Sequence, residues 1–226
     1  MSGQLPLPLP VEAAMGADDF LVTPSNRDAV TWIEKWPDWS APGLVVTGLS
    51  GSGKTHLLNL WLGKSGGRSV SGAELVATPA TLLTASAKCI AIDDADALAG
   101  NNAAEEALFH LYNHIQTSKG SLLLTMARGA GLAGFVLPDL RSRLLTLPVA
   151  ALGPPDDALL SALIVKQFRD RQIALDAGVV AYVAAHGARD AASIRDLVER
   201  LDRAALAEGR KISIALAKKI LGDGDE

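Results

Sequence analysis

The sequence holds a single cysteine, Cys89, so no disulfide closes within the chain; one thiol suits a reducing compartment and reads as a small core residue. Zinc spacing is absent as well. Positive charge is scarce, with 21 Lys and Arg against 25 Asp and Glu, a net charge of -4, and the pI is near 5.6. Such a balance lacks the basic face with which a direct DNA binder displaces counterions, so any contact with nucleic acid is expected through a partner. Long apolar runs are missing too. Lys88, Asp93 and prolines interrupt every stretch well short of a membrane span, and no basic region precedes an apolar one at the start. The expectation is a cytoplasmic protein with no membrane contact. What the chain does have is 49% apolar residues over 226 positions, which excludes disorder for most of it and can fill one α/β domain plus a small appendage.

One stretch carries phosphate chemistry. Gly48-Leu49-Ser50-Gly51-Ser52-Gly53-Lys54-Thr55 follows the apolar run Leu44–Thr47 and precedes a helical pattern of Leu57, Leu58, Trp61 and Leu62. The glycines let the backbone turn its N–H groups around an anion, Lys54 adds a point charge for the outer phosphates, and the Thr55 hydroxyl can reach a magnesium ion. Strand, loop and helix in that order aim the helix N-terminus at the phosphates. Gly48, Ser50, Gly51, Ser52, Gly53, Lys54, Thr55 and His56 are therefore candidates for binding ATP or ADP, with Thr55 on the Mg²⁺ side.

A second apolar run, Cys89-Ile90-Ala91-Ile92, ends in Asp93-Asp94 and reads as a buried parallel strand that delivers carboxylates at its C-terminal end. In phosphate-loop proteins that position holds the metal, so Asp93 is the metal-side acid and Asp94 faces an attacking water. Asp94 as a mere turn cap is the plainer reading, because Asp93-Asp94-Ala95-Asp96 also suits a turn. A third run, Ser121–Thr125, places Thr125 in the same crevice, where its hydroxyl could meet the γ-phosphate or the water; capping is again the modest alternative. Between these strands, Ala103–Ser118 has helix spacing ended by Gly120, and carries His110 and His114 four apart with no third metal ligand.

The remaining segments are organised around this core. Residues 1–17 form a proline-interrupted tail in which Leu5, Leu7 and Leu9 either fold back or anchor a partner, with Gln4 and Pro8 between and beside them. Residues 18–152 form the α/β domain, with a helix expected over Ala29–Trp36, capped by Ser25 or Asn26, and a packing cluster of Trp32, Trp36 and Trp39. Gly63–Ala87 offers only a weak strand near Arg68–Ser71 and a helix or loop through Ala80–Ser86. After Leu137–Leu144, a turn of helix bearing Arg141 and Arg143, a short strand is expected over Leu145–Pro148. Two residues apart on a helix, the arginines face nearly opposite sides, so the expectation is that one braces the fold while the other reaches outward. Residues 153–226 read as a helical lid of four helices, over 156–171, 176–186, 190–208 and 213–221. Arg195 opens the third, where the helix dipole disfavours a cation unless a phosphate pairs with it; pairing with Asp190 or Asp196 is the alternative.

Taken together these residues resemble the AAA+ ATPases. Phe20-Leu21-Val22-Thr23-Pro24-Ser25-Asn26-Arg27, Gly53-Lys54-Thr55-His56-Leu57-Leu58 and Leu140-Arg141-Ser142-Arg143-Leu144 resemble, more narrowly, the DnaA and Hda family of bacterial replication proteins. The resemblance covers nearly the whole chain. It implies a P-loop AAA+ parallel-sheet domain followed by a lid, an adenine-side segment that includes Phe20, Val22 and Asn26, Thr125 as first sensor, Arg143 as arginine finger and Arg195 as lid arginine. The tail Gln4-Leu5-Pro6-Leu7-Pro8-Leu9 is similar to the peptide with which Hda docks on the DNA polymerase sliding clamp. Together with an acidic end at Glu226, in place of the initiator's basic DNA-binding domain, it favours the shorter relative. That implies a negative regulator of replication initiation, bound to ADP or ATP and Mg²⁺, docked on the clamp, stimulating hydrolysis of DnaA-bound ATP; self-association into a homo-oligomer stays open. One departure stands out: Thr125-Met126-Ala127-Arg128 lacks the aspartate usual before the arginine. Two other readings compete. An autonomous ATPase such as a helicase loader is favoured by Asp93-Asp94, and a small-molecule phosphotransferase lacks any visible basic substrate clamp.

Overall fold

Three continuous apolar runs form the centre of a five-stranded parallel sheet. The structure, a computed structural model, describes residues 21–127, 134–173, 175–187 and 189–222. Its central strands are β1 (Gly43–Gly48), β3 (Cys89–Ile92) and β4 (Ser121–Ala127), flanked by β2 (Arg68–Ser69) and β5 (Val149–Ala151), in the order β2-β3-β4-β1-β5. All neighbours are parallel. Because both faces of such a sheet are covered, the runs are apolar throughout rather than alternating. Successive side chains still go to opposite faces. Val45, Ile90, Ile92, Leu122, Leu124 and Met126 share a core with α3 (Gly72–Ala77), α4 (Ala80–Leu83), α5 (Asn102–Ser118) and α6 (Pro138–Leu144). Leu44, Val46, Cys89, Ala91 and Leu123 share the other with α1 (Arg27–Glu34) and α2 (Lys54–Ser65). The expected tryptophan cluster packs on that second face, where Trp39 stacks on Trp61 at 5.6 Å and Trp36 meets it edge-on at 6.3 Å.

A third core belongs to α7 (Asp157–Arg169), α8 (Ala177–His186), α9 (Ala191–Glu208) and α10 (Ile214–Leu221), which bury Ile164, Phe168, Val183, Val198, Leu201 and Leu216 among themselves. Each helix starts where a short polar side chain takes up an orphan amide. Asp156 accepts from Leu159 N at 2.8 Å, Asp176 from Gly178 N at 2.8 Å, Asp190 from Ser193 N at 2.9 Å and Ser213 from Leu216 N at 3.3 Å. Among the described residues no helix is long and apolar enough to cross a membrane.

The structure departs from the expectations in several places, beginning with α1, which starts and ends two residues earlier than expected. The strand expected over Leu145–Pro148 is a turn, and β5 follows it at Val149–Ala151. Leu145 N and Thr146 Oγ1 donate to the carbonyls of Arg141 and Arg143, so these residues close the end of α6 and cannot extend. β4 runs two residues beyond Thr125. A helix not anticipated, α3, begins at Ser71, whose hydroxyl accepts from Glu74 N at 3.1 Å; Ser71-Gly72-Ala73-Glu74 is the Ser-x-x-Glu start signal. Finally, α5 ends on Lys119 in the left-handed region (φ 55), not on Gly120. Gly120 serves a different need, since a Cβ there would collide with the Lys88 carbonyl oxygen.

Candidate functional site

β4 lies between β1 and β3, so the loop after β1 and the acids after β3 flank one strand end and face a common crevice. Gly51 (φ 71) and Gly53 (φ 98) bend the loop through left-handed conformations that other residues resist, and α2 starts at Lys54. Two features of the cradle point to an anion. The Lys54 ammonium, 8% exposed, donates to the carbonyl oxygens of Gly48 and Leu49 at 3.2 Å each and has no carboxylate partner among the described residues. The Ser52 hydroxyl oxygen is buried without any hydrogen bond. A buried cation without a counter-charge and an orphaned hydroxyl both gain partners when a phosphate enters. Ser50 is exposed on the loop, and His56 is half-buried one turn further on.

Hydroxyls and a carboxylate form a chain across the crevice. Thr55 Oγ1 donates to Asp93 Oδ2 at 2.6 Å, Thr125 Oγ1 donates to Asp93 Oδ1, and the Asp94 amide donates to Thr125 Oγ1 at 2.9 Å. Thr125 is fully buried. Its position pairs with Val46 across the sheet, on the face that carries α2. The Thr125 hydroxyl thus ties the Asp93 carboxylate to the Asp94 backbone. Asp93 and Thr55 are hard oxygen donors that fit Mg²⁺, which is held by few protein ligands together with phosphate oxygens and water. No group of three or more His, Cys, Asp or Glu able to hold a metal exists among the described residues, so His110 and His114 form no site there.

Asp94 is exposed and sits in the left-handed region (φ 48, ψ 49), unusual for a residue with a side chain. It stands at the start of the 3-10 turn Ala95–Leu98, where its carbonyl oxygen accepts from Ala97 N at 2.9 Å and its carboxylate makes no capping bond. Next to it, Asp96 Oδ1 accepts from Ala127 N at 3.2 Å and holds the end of β4.

On the adenine side, Phe20 lies outside the described residues, as do the tail positions Gln4, Leu5, Leu7, Pro8 and Leu9. Val22 is 46% exposed. Asn26 is buried and folds the segment upon itself: its Oδ1 accepts from Thr23 N at 2.8 Å and its Nδ2 donates to Leu21 O at 2.9 Å. It stands at the start of α1 without a side-chain capping bond. This segment is tied to the lid, because Gly153 N donates to Ser25 O at 2.8 Å and Ser25 N to Asp156 Oδ2 at 3.4 Å.

The arginines all face outward. α6 buries Leu140 and Leu144 completely, and Arg141 and Arg143 are exposed on its other sides. Neither has an ion pair among the described residues, so the bracing role expected for one of them is not seen there. Arg195 is exposed as the fifth residue of α9. Asp190 accepts from Ser193 N at the start of that helix, and Asp196 lies 4.0 Å from Arg200. One functional candidate was not anticipated: Glu105, fully buried on α5. Its spacing with Leu108 and Tyr112 puts an acid within the apolar stripe of that helix, which is the signal that could have found it.

Comparison with known proteins agrees with this architecture. The chain is similar to domain III of the Thermotoga maritima replication initiation protein DnaA, with a TM-score of 0.78 and 21% identity over 91% of this chain and 95% of that one. Residues 156–221 match the family model described as the Hda lid domain. Residues 156–221 are thus a lid of the Hda type, and the chain as a whole has the AAA+ fold of DnaA domain III. Another structure similar to this chain is AMPPCP-bound DnaA from Aquifex aeolicus, with a TM-score of 0.65 and 20% identity over 82% of this chain and 64% of that one. In sequence, the chain is 27% identical to an uncharacterized protein of Haemophilus influenzae over 235 residues, 98% of this chain and 99% of the relative.

Proposed function

We propose that this protein is of the Hda type, a regulator of DNA replication initiation that holds an adenine nucleotide, rests in its ADP form, and promotes hydrolysis of the ATP bound to DnaA by supplying Arg143 from outside the initiator's site. The observation that carries the reading is the placement of Arg143, an exposed guanidinium without an ion pair among the described residues, on a short helix whose opposite side is locked into the core. A cation aimed at a neighbour's triphosphate stabilises charge that develops on the transferring phosphoryl group. Such an arginine is worth about 10³ to 10⁵ in rate, or roughly 4 to 7 kcal/mol of barrier, far beyond a surface ion pair.

The chain's own nucleotide site is supported by the loop, the unpaired Lys54 and the orphaned Ser52 hydroxyl. Lys54 and the amides at the start of α2 bind the phosphates, Thr55 and Asp93 would hold Mg²⁺, and Arg195 reaches from the lid. When bound, the ion supplies charge neutralisation at the phosphates. AMPPCP in the related DnaA structures is consistent with nucleotide in this site. Residues Gln4–Leu9 dock on the DNA polymerase sliding clamp, which brings the regulator to DNA without a basic face of its own. This rests on their resemblance to the Hda docking peptide.

The deciding experiment measures turnover of DnaA-bound ATP with clamp-loaded DNA and this protein. Arg143→Ala should abolish the stimulation and leave clamp binding unchanged; full residual stimulation rejects the assignment. Replacing Leu7 and Leu9 by alanine should remove retention on immobilised clamp, and unchanged retention would mean that the tail serves something else. A second reading, an autonomous ATPase such as a helicase loader, is favoured by the outward Asp94 carboxylate beside Asp93. Steady-state turnover by the isolated protein separates the two, because tight nucleotide binding with negligible turnover belongs to the regulator.

A further inference from the structure

Glu105 is a carboxylate with no exposed surface and no cationic partner among the described residues. Its charge is met instead by three backbone amides. Oε1 accepts from Gly100 N at 2.7 Å and from Val136 N at 3.1 Å; Oε2 accepts from Val136 N at 3.0 Å and from Leu137 N at 2.7 Å. An ionised carboxylate is an acceptor only, with lone pairs enough for all three donors, and no other side chain of this size matches that demand.

The two ends of this clamp belong to different parts of the site. Gly100 (φ 80) closes the loop that leaves Asp93 and Asp94, a loop already fixed by Ala97 N to Asp94 O at 2.9 Å and Asn101 N to Leu98 O at 3.2 Å. Val136 and Leu137 lead directly into α6, where Pro138 has no amide of its own to donate and Leu137 O receives Arg141 N at 3.0 Å. A seven-residue helix has little intrinsic stability, so its direction depends on how its first turn is held. Leu140 and Leu144 fix its depth in the core, and the amides before it fix its start.

We propose that Glu105 is a positioning residue for the arginine helix: by binding Gly100, Val136 and Leu137 together, it pins the start of α6 to the loop that follows the paired acids and so sets the aim of Arg143. This rests on the reading of Arg143 given above. The contact itself can be tested without that reading, because the bonds protect specific amides.

Glu105→Gln keeps the shape of the side chain but turns one acceptor into a donor, which faces an amide that also donates. The expected result is a fall of about tenfold in the maximal stimulated rate of DnaA-bound ATP hydrolysis at saturating regulator, with the half-saturating concentration and nucleotide affinity within about twofold of the unaltered protein. Hydrogen exchange at Val136 and Leu137 should quicken by about tenfold while the β4 amides keep their protection. Combined with Arg143→Ala, the substitution should lower the rate no further than Arg143→Ala does alone. If Arg143→Ala abolishes stimulation and Glu105→Gln leaves the maximal rate unchanged, the positioning role is overturned. Full stimulation by Arg143→Ala is a different result and overturns the reading on which the role rests. Should Glu105→Gln fail to fold, exchange in the unaltered protein decides: Val136 and Leu137 amides that exchange as fast as free loop amides overturn the clamp.

Discussion

Thr125 links two segments that the sequence keeps far apart. Its hydroxyl donates to the Asp93 carboxylate and accepts from the Asp94 amide, so from a fully buried position it ties that carboxylate to the backbone that follows it. Thr125→Val keeps the volume and removes the acceptor. The Asp94 amide is then left unpaired, and the protein should lose about 1 to 3 kcal/mol, read as a lower urea midpoint at unchanged slope. A buried carboxylate has a pH signature as well. Burial raises the pKa of Glu105, but the amides of Leu137, Val136 and Gly100 together outweigh it and hold the group below its ordinary value of 4.5. The Leu159 amide, with Thr23 and Ser25, likewise draws Asp156 below 3.8 against a smaller opposing effect of burial. A carboxyl with a depressed folded pKa binds fewer protons folded than unfolded, so its contribution is full above its unfolded value and is lost as pH falls through the folded one. Stability from these two groups should therefore hold from neutral pH down to about 4.5 and decline below it. Chemical denaturation at a series of pH values tests this, and Glu105→Gln should flatten the acid limb.

Among the elements, the lid helices were the most legible because their starts are local chemistry. Asp156, Asp176, Asp190 and Ser213 stand where the apolar spacing begins, and each accepts an amide of its own helix. Asp156 does more than cap α7, since its second oxygen meets Ser25 N across 131 positions of sequence. Asp156→Ala should cost about 0.5 to 2 kcal/mol and also loosen the join between lid and adenine-side segment. Faster exchange at both Leu159 and Ser25 amides would bear this out; a change at Leu159 alone would mean that the join does not depend on Asp156. Edge strands were less legible. β5 has only three residues, with Ala150 buried between exposed Val149 and Ala151, and its position is set by pairing with Val45–Thr47 rather than by any pattern of its own. β4 gains two residues over its apolar run because Met126 and Ala127 pair with Thr47 and Gly48 at the mouth of the phosphate loop.

At the scale of the whole molecule, the chain builds two cores on the faces of one sheet and a third within the lid. The sheet places the loop and acids, and the lid carries Arg195 on a separately packed body. Leu201 has no exposed surface and lies in the lid core. Leu201→Ala should destabilise that core by about 2 to 5 kcal/mol. Hydrogen exchange should quicken through α7 to α10 well before it does in β1, β3 and β4; equal quickening in the sheet would mean that the three cores act as one. The expected absence of direct DNA contact also belongs to this scale, because it follows from a net charge of -4 spread over the whole chain.

What the sequence determined by itself is whatever follows from neighbours within a few positions: the glycines of the phosphate loop, the apolar strands, the helix caps and the acids set at a strand end. The tertiary structure alone decided the rest. Inserting β4 between β1 and β3 brings Thr125 to Asp93 across 32 positions and commits a hydroxyl that the sequence left open. Packing α5 against α6 carries Glu105 to the Val136 and Leu137 amides, and turns an acid in an apolar stripe into a clamp. Contacts of this kind join residues far apart in the chain, and the periodicity of a helix or strand carries no record of which distant segment will complete a hydrogen bond.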